Sequence, residues 1–184
     1  GHLLRFHPSL VEAARLVASG AIGELLRVES QRLGTSRGAG GSTLWELAPH
    51  DLSVVHMLGL APRGPLQLQG SGGKVELSGR LGARATFRAS LSRAHTHKVR
   101  RILLEGNAGS LIHDDVDDQR ALLLRDARGE RRVAVPFEEP LSREVAAFAS
   151  AARGIAPAPT PLTEGALVVR WLAEAERIQG SAVD

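Results

Sequence analysis

Cysteine is absent from the 184 residues, which excludes a disulfide framework, thiolate metal ligation and a cysteine nucleophile. Any metal would have to be held by histidine and carboxylate. Long apolar runs are also missing. Residues 58–62 and 146–152 are among the longest, far short of the roughly 20 residues that cross a bilayer, so no transmembrane segment is expected. Lysine is nearly absent, with Lys74 and Lys98 alone, and basicity rests on arginine. The formal net charge is only +3 despite a pI near 10.4. Arginine is dispersed rather than gathered in a stripe, and aromatics make up 3% of the chain, which argues against a nucleic-acid-binding surface built on cations and stacking rings. The opening Gly1-His2-Leu3-Leu4-Arg5-Phe6 has no initiating Met, basic n-region or small-residue cleavage site. It does not read as a signal peptide, and the chain is expected to be cut from a longer cytoplasmic protein.

What is present is enough apolar material, 43% of residues, for one substantial core, so residues 1–184 are expected to form a single domain. Pro8 and Ser9 open an amphipathic helix with Leu10, Ala13, Ala14 and Val17 at helical spacing, and Gly20 stops it. Residues 22–33 shift to period two and predict a strand. A glycine-rich loop over 34–42 precedes a helical stretch over 44–58. Strict alternation over 81–91 predicts the clearest strand. Shorter strands are expected at 66–69, 74–78, 99–104, 110–113, 120–125 and 132–137, separated by turn signals that favour antiparallel neighbours. Helices over 141–153 and 163–179 close the chain, joined by a proline-rich linker. The expected fold is α+β: a large, mainly antiparallel open sheet with helices packed on one face. Leu122, Leu123 and Leu124 make one strand apolar on both sides, so part of the second face should be covered, most simply by an oligomer interface.

The 44–58 segment places Glu46 and His50 at i, i+4, on one helical face. A carboxylate one turn from an imidazole can orient it for general acid/base chemistry. Pro49 interrupts this segment, so the helix is expected either to start there or to kink there.

Other signals carry no chemistry. Gly38-Ala39-Gly40-Gly41-Ser42 lacks the rest of a dinucleotide fingerprint, and Gly72-Gly73-Lys74 lacks the rest of a phosphate loop. His95 and His97 share a strand face but have no third metal ligand fixed by the sequence. Asp114, Asp115, Asp117 and Asp118 lack the glycine and terminal Glu of a calcium loop. No serine sits in a G-x-S-x-G elbow.

Four stretches, GHLLRFHPSLVEAARLVASGAIGELLRVES (1–30), STLWELAPHDLSVVHMLG (42–59), KVRRILLEGNAGSLIHDD (98–115) and the 135–176 region from VPFEEPLSREVAAFASAARG to LTEGALVVRWLAEAE, occur in an order that resembles one family. It is the C-terminal domain of the glucose-fructose oxidoreductase and inositol dehydrogenase (Gfo/Idh/MocA) family. The resemblance implies oxidation of a sugar hydroxyl by hydride transfer to NAD or NADP, with the dinucleotide held by an N-terminal Rossmann domain that these residues do not contain. It implies a catalytic role for His50, which would exchange the hydroxyl proton, and a supporting one for Glu46, where the family more usually has Asp. It offers Arg5, His7, His95 and Lys98 as candidates for the substrate pocket. The wording LAPHD is most similar to members acting on nucleotide-linked sugars. No role in binding a cofactor or metal is expected for these residues themselves, and without its dinucleotide domain the chain is expected to be inactive. The competing expectation is a freestanding, non-catalytic sugar-binding or dimerisation module.

Overall fold

A computed structural model of the chain describes residues 2–35, 41–116, 122–136 and 138–181. The glycines at 38 and 40, Asp117, Asp118 and the expected strand ends Arg120 and Phe137 lie outside the described residues.

A short 3₁₀ helix, Leu3–Phe6, leads into α1 (Pro8–Ala18). Pro8 occupies the first turn, where its missing N–H costs nothing. Gly20, at φ +75°, ends the helix as its N–H bonds the carbonyl of Val17 and that of Ala21 bonds Leu16. The long strand β1 (Leu25–Thr35) and helix α2 (Thr43–Met57) follow. Then come β2 (Gln67–Ser71), β3 (Lys74–Leu81), β4 (Ala85–Ser92), β5 (Ala94–Gly106), β6 (Gly109–Asp114), β7 (Leu122–Asp126) and β8 (Gly129–Val133). Helices α3 (Pro140–Ala152) and α4 (Leu162–Ser181) complete the fold.

The described strands form an eight-stranded sheet in the order β2-β3-β4-β1-β5-β6-β7-β8. It is antiparallel throughout except at its centre, where β1 runs parallel to β4, with Val28 opposite Phe87. The α+β architecture expected from the sequence is the one observed.

Several boundaries differ from expectation. The alternation over 81–91 is not one strand: β3 ends at Leu81, Gly82 turns the chain at φ +51°, and β4 starts at Ala85. Ala83 fits an alternating pattern as readily as a turn, which hid the break. Helix α2 begins at Thr43, capped by Ser42, and runs through Pro49, so it does not start at the proline. The last strand spans Gly129–Val133 rather than 132–137.

The core lies between the sheet and its helices. Leu44, Ala48, Leu52 and Val55 of α2 recur at helical spacing and are fully buried, as are Leu77, Leu81, Phe87, Ala89 and Leu91 of β3 and β4. From α4, Val168, Leu172 and Ala175 join the same cluster. Helix α1 lies over β6 and β7. The opposite sheet face is laced by ion pairs: Arg27 with Glu29 (3.1 Å) and Glu105, and Arg88 with Glu76 (2.7 Å). Leu103, Ile112 and Leu123 stand in register across β5, β6 and β7 as an apolar row.

Candidate functional site

Helix α2 is fixed at its start by two hydroxyls. Ser42 Oγ accepts from the Trp45 N–H (3.4 Å), and Thr43 Oγ1 donates to the Gly72 carbonyl (2.6 Å) in the β2–β3 turn. With Leu44, Ala48 and Leu52 turned into the core, Glu46 and His50 fall on the other side of the helix, one turn apart. The two are not joined to each other. Glu46 pairs with Arg93 Nη1 at 3.1 Å, and the same nitrogen donates to the Gly41 carbonyl at 2.6 Å. The orienting carboxylate suggested by i, i+4 spacing is therefore engaged elsewhere.

The charges around His50 come from β1, β5, the N-terminal segment and α2 itself. Asp51, 2% exposed, accepts from Ser30 Oγ (2.7 Å) and from Arg32 Nη2 (3.0 Å). Ser30 and Arg32 are two apart on β1 and so share a face, while Asp51 is the residue next to His50 on α2. Burial lowers the His50 pKa from its ordinary 6.5, and the nearby Arg32 guanidinium lowers it further, against an opposing pull from Asp51. Lesser contributions from His2 and Arg100 act in the same direction as Arg32. The imidazole is thus held neutral, as a proton acceptor needs to be. Asp51 is hidden in the sequence because its helical position belongs to the buried, mostly apolar set. The signal was a carboxylate facing a strand with Ser30 and Arg32 on its inner side.

A cavity of about 360 Å³ opens beside this centre, lined by Gly34, Thr35, Glu46, Leu47, Ser92, Arg93 and Arg100. A second, of about 420 Å³, lies between the start of α2, the β2–β3 turn and Glu176 of α4. The first is lined by Glu46, one helical turn from His50, and by Arg100, whose charge acts on His50.

The remaining candidates are spread out. Arg5 is held under the C-terminal helices, with Nη2 3.2 Å from Glu164 and 3.3 Å from the Pro159 carbonyl. His7 is buried in a cluster of its own. Ser9 Oγ lies 2.8 Å from Nδ1 of both His7 and His113, and His7 Nε2 lies 3.4 Å from Asp115. His95 turns its Nδ1 to the His97 carbonyl at 2.8 Å. Lys98 is exposed, two residues from Arg100 on β5. No group of three or more metal-ligating side chains occurs among the described residues.

Nor do the described residues form a dinucleotide cradle. The parallel pair β1 and β4 is linked through α2, β2 and β3 rather than by one glycine-tipped crossover.

No protein family and no curated protein matches the sequence. Solved structures do match. A protein of Magnetospirillum magnetotacticum MS-1, proposed to be an oxidoreductase, is 28% identical with a TM-score of 0.80, over 95% of this chain and 61% of its own. The UDP-N-acetylglucosamine 3-dehydrogenase of Acidithiobacillus ferrooxidans is 17% identical with a TM-score of 0.81, over 96% and 59%. The aldose-aldose oxidoreductase of Caulobacter crescentus is 16% identical with a TM-score of 0.80, over 97% and 61%. The chain spans about three-fifths of the length of the structures it matches. Its fold is that of the C-terminal domain of oxidoreductases of the Gfo/Idh/MocA type.

Proposed function

We propose that this chain is the substrate side of an NAD(P)-dependent oxidoreductase that oxidises a sugar or nucleotide-sugar hydroxyl by hydride transfer. The observation that carries the reading is His50: a half-buried imidazole, kept neutral by burial and by Arg32, one helical turn from a cavity wall. Its neutral nitrogen accepts the hydroxyl proton as the carbon is oxidised and returns it in the reverse direction. Asp51 limits the cost of the imidazolium that forms, because its carboxylate raises the His50 pKa against the effect of Arg32. Glu46, held by Arg93, presents an acceptor to a substrate hydroxyl rather than to the imidazole.

NAD or NADP supplies the hydride acceptor and is bound by a dinucleotide-binding domain, since the described residues do not fit that group. The isolated chain is therefore inactive. The sheet face opposite α2, with its row of Leu103, Ile112 and Leu123, is the surface through which copies associate.

The test is His50→Ala in the longest natural polypeptide that contains this chain, assayed on nucleotide-linked and free sugars. Turnover should fall by about 10²-fold or more, as for loss of a general acid/base. Unchanged turnover in a folded variant refutes the assignment.

A further inference from the structure

Arg32 and Arg100 stand directly opposite each other on β1 and β5. Both belong to the face turned toward α2, because Ser30 and Ile102, the paired residues two positions along, are buried there. Like charges placed across a strand pair destabilise it, and here only one of the two is matched. Asp51 is taken by Arg32 at 3.0 Å. Arg100 is held by carbonyls alone, its Nη1 donating to Leu33 at 2.8 Å and Val99 at 2.9 Å. Among the described residues no carboxylate comes within ion-pair distance of it. Asp115 is the other carboxylate in range of its charge, and it lies 3.4 Å from His7 Nε2.

At contact distance two guanidiniums share one carboxylate, so Arg100, a partly buried cation, has no carboxylate in contact with it among the described residues. Burial and Arg32 both lower the Arg100 pKa, the sign of a cation whose surroundings do not compensate it. That cation lines the 360 Å³ cavity. Glu46 on the same wall is already paired with Arg93, so it does not cancel the charge. A cation in this position is costly until an anion arrives, and the free edge of a guanidinium suits an oxyanion.

We infer that Arg100 is an anion-recognising residue of this cavity, so that the substrate is a sugar bearing an oxyanion, either the phosphate of a nucleotide-linked sugar or a sugar carboxylate. The inference rests on the function proposed above, and it excludes a plain neutral sugar as the best ligand.

The His50 imidazole reports on it without turnover. Its pKa is followed by NMR in this chain, with His50→Gln identifying the resonance, during titration with UDP, glucuronate and glucose. UDP or glucuronate should raise the His50 pKa saturably, because the bound anion offsets Arg100, and glucose should not. A response to UDP alone assigns the nucleotide phosphate, and one to glucuronate alone assigns the sugar carboxylate. Arg100→Gln should raise the pKa before any anion is added and weaken the anion response at least tenfold. Arg100→Lys, which keeps the charge, should retain part of that response. No response from the unsubstituted chain to either anion, or an undiminished response in Arg100→Gln, overturns the inference. Either result leaves the His50→Ala turnover test intact, so the two proposals fail separately.

Discussion

Glu46 lies 3.1 Å from Arg93 on the β4–β5 connection and makes no bond to His50, although the two share a helical face. The pairing gives separate surroundings to two residues that sequence spacing would join. On the function proposed above, Glu46→Gln in the longest natural polypeptide that contains this chain should lower kcat by about tenfold or less, against the 10²-fold or greater loss that removal of a general acid/base produces. Steady-state kinetics of the two variants side by side decide it. Equal losses would return Glu46 to the role of an orienting carboxylate.

Asp51 should be the most consequential single charge for stability. Its carboxylate is buried against Arg32 and Ser30, and removing one partner of a buried pair strands the other. Asp51→Asn should cost about 3 kcal/mol, read as a lower urea midpoint at unchanged slope. A change below about 0.5 kcal/mol would mean that water already compensates Arg32.

His113 makes stability depend on pH. Burial, and secondarily the neighbouring His7, push its pKa from 6.5 to about 3. Above pH 6.5 the imidazole is neutral in the folded and unfolded chain alike, and pH has no effect through it. Between 6.5 and about 3 the unfolded chain binds a proton that the folded chain refuses, so stability falls as pH falls, by up to about 1.4 kcal/mol per unit. Denaturation at pH 7 and pH 5 should show His113→Asn losing about 1–2 kcal/mol less than the unsubstituted chain over that interval. Equal losses would show that the folded chain accommodates the imidazolium.

Gly106 ends β5 where the backbone passes under residue 22. A methyl group there would lie 2.1 Å from the Ile22 carbonyl oxygen and 3.0 Å from that of Glu24. Gly106→Ala should destabilise the domain by about 1–3 kcal/mol, the range for forced overpacking, measurable by thermal unfolding. A neutral effect would require the 20–24 turn to shift freely.

Much of the architecture was legible because the sheet has a buried and a polar face, and alternation reports that difference wherever it is sharp, as in β4. It failed at Ala83, a residue small enough to suit a strand or a turn. It also underestimated β5, whose first five residues are polar or small. Helix α2 was visible as a helix, yet its origin was not, because Ser42 caps it seven residues before a proline that looked like a start. Of the candidate site, local spacing and family resemblance point to His50 and Glu46. Asp51, Arg32 and Arg100 could not, since their relationship exists only after β1, β5 and α2 have been brought together. Arg5 and His7 have identifiable partners in Glu164 and Ser9, contacts that no local pattern encodes.

The parallel junction of β1 with β4 also sets a constraint on how the chain folds. β1 has β4 on one side and β5 on the other, and its partners are some sixty to eighty residues further along, as in Val28 opposite Phe87 and Leu104. Synthesis from the N-terminus therefore leaves both edges of β1 open until β4 has emerged, and one of them open until β5 follows. The β2–β3–β4 and β5–β6–β7–β8 meanders, by contrast, can zip up from neighbouring turns. Closing the centre of the sheet is a high-contact-order event, and a chain truncated before residue 85 would carry β1 as an unpaired edge, open to association with other chains.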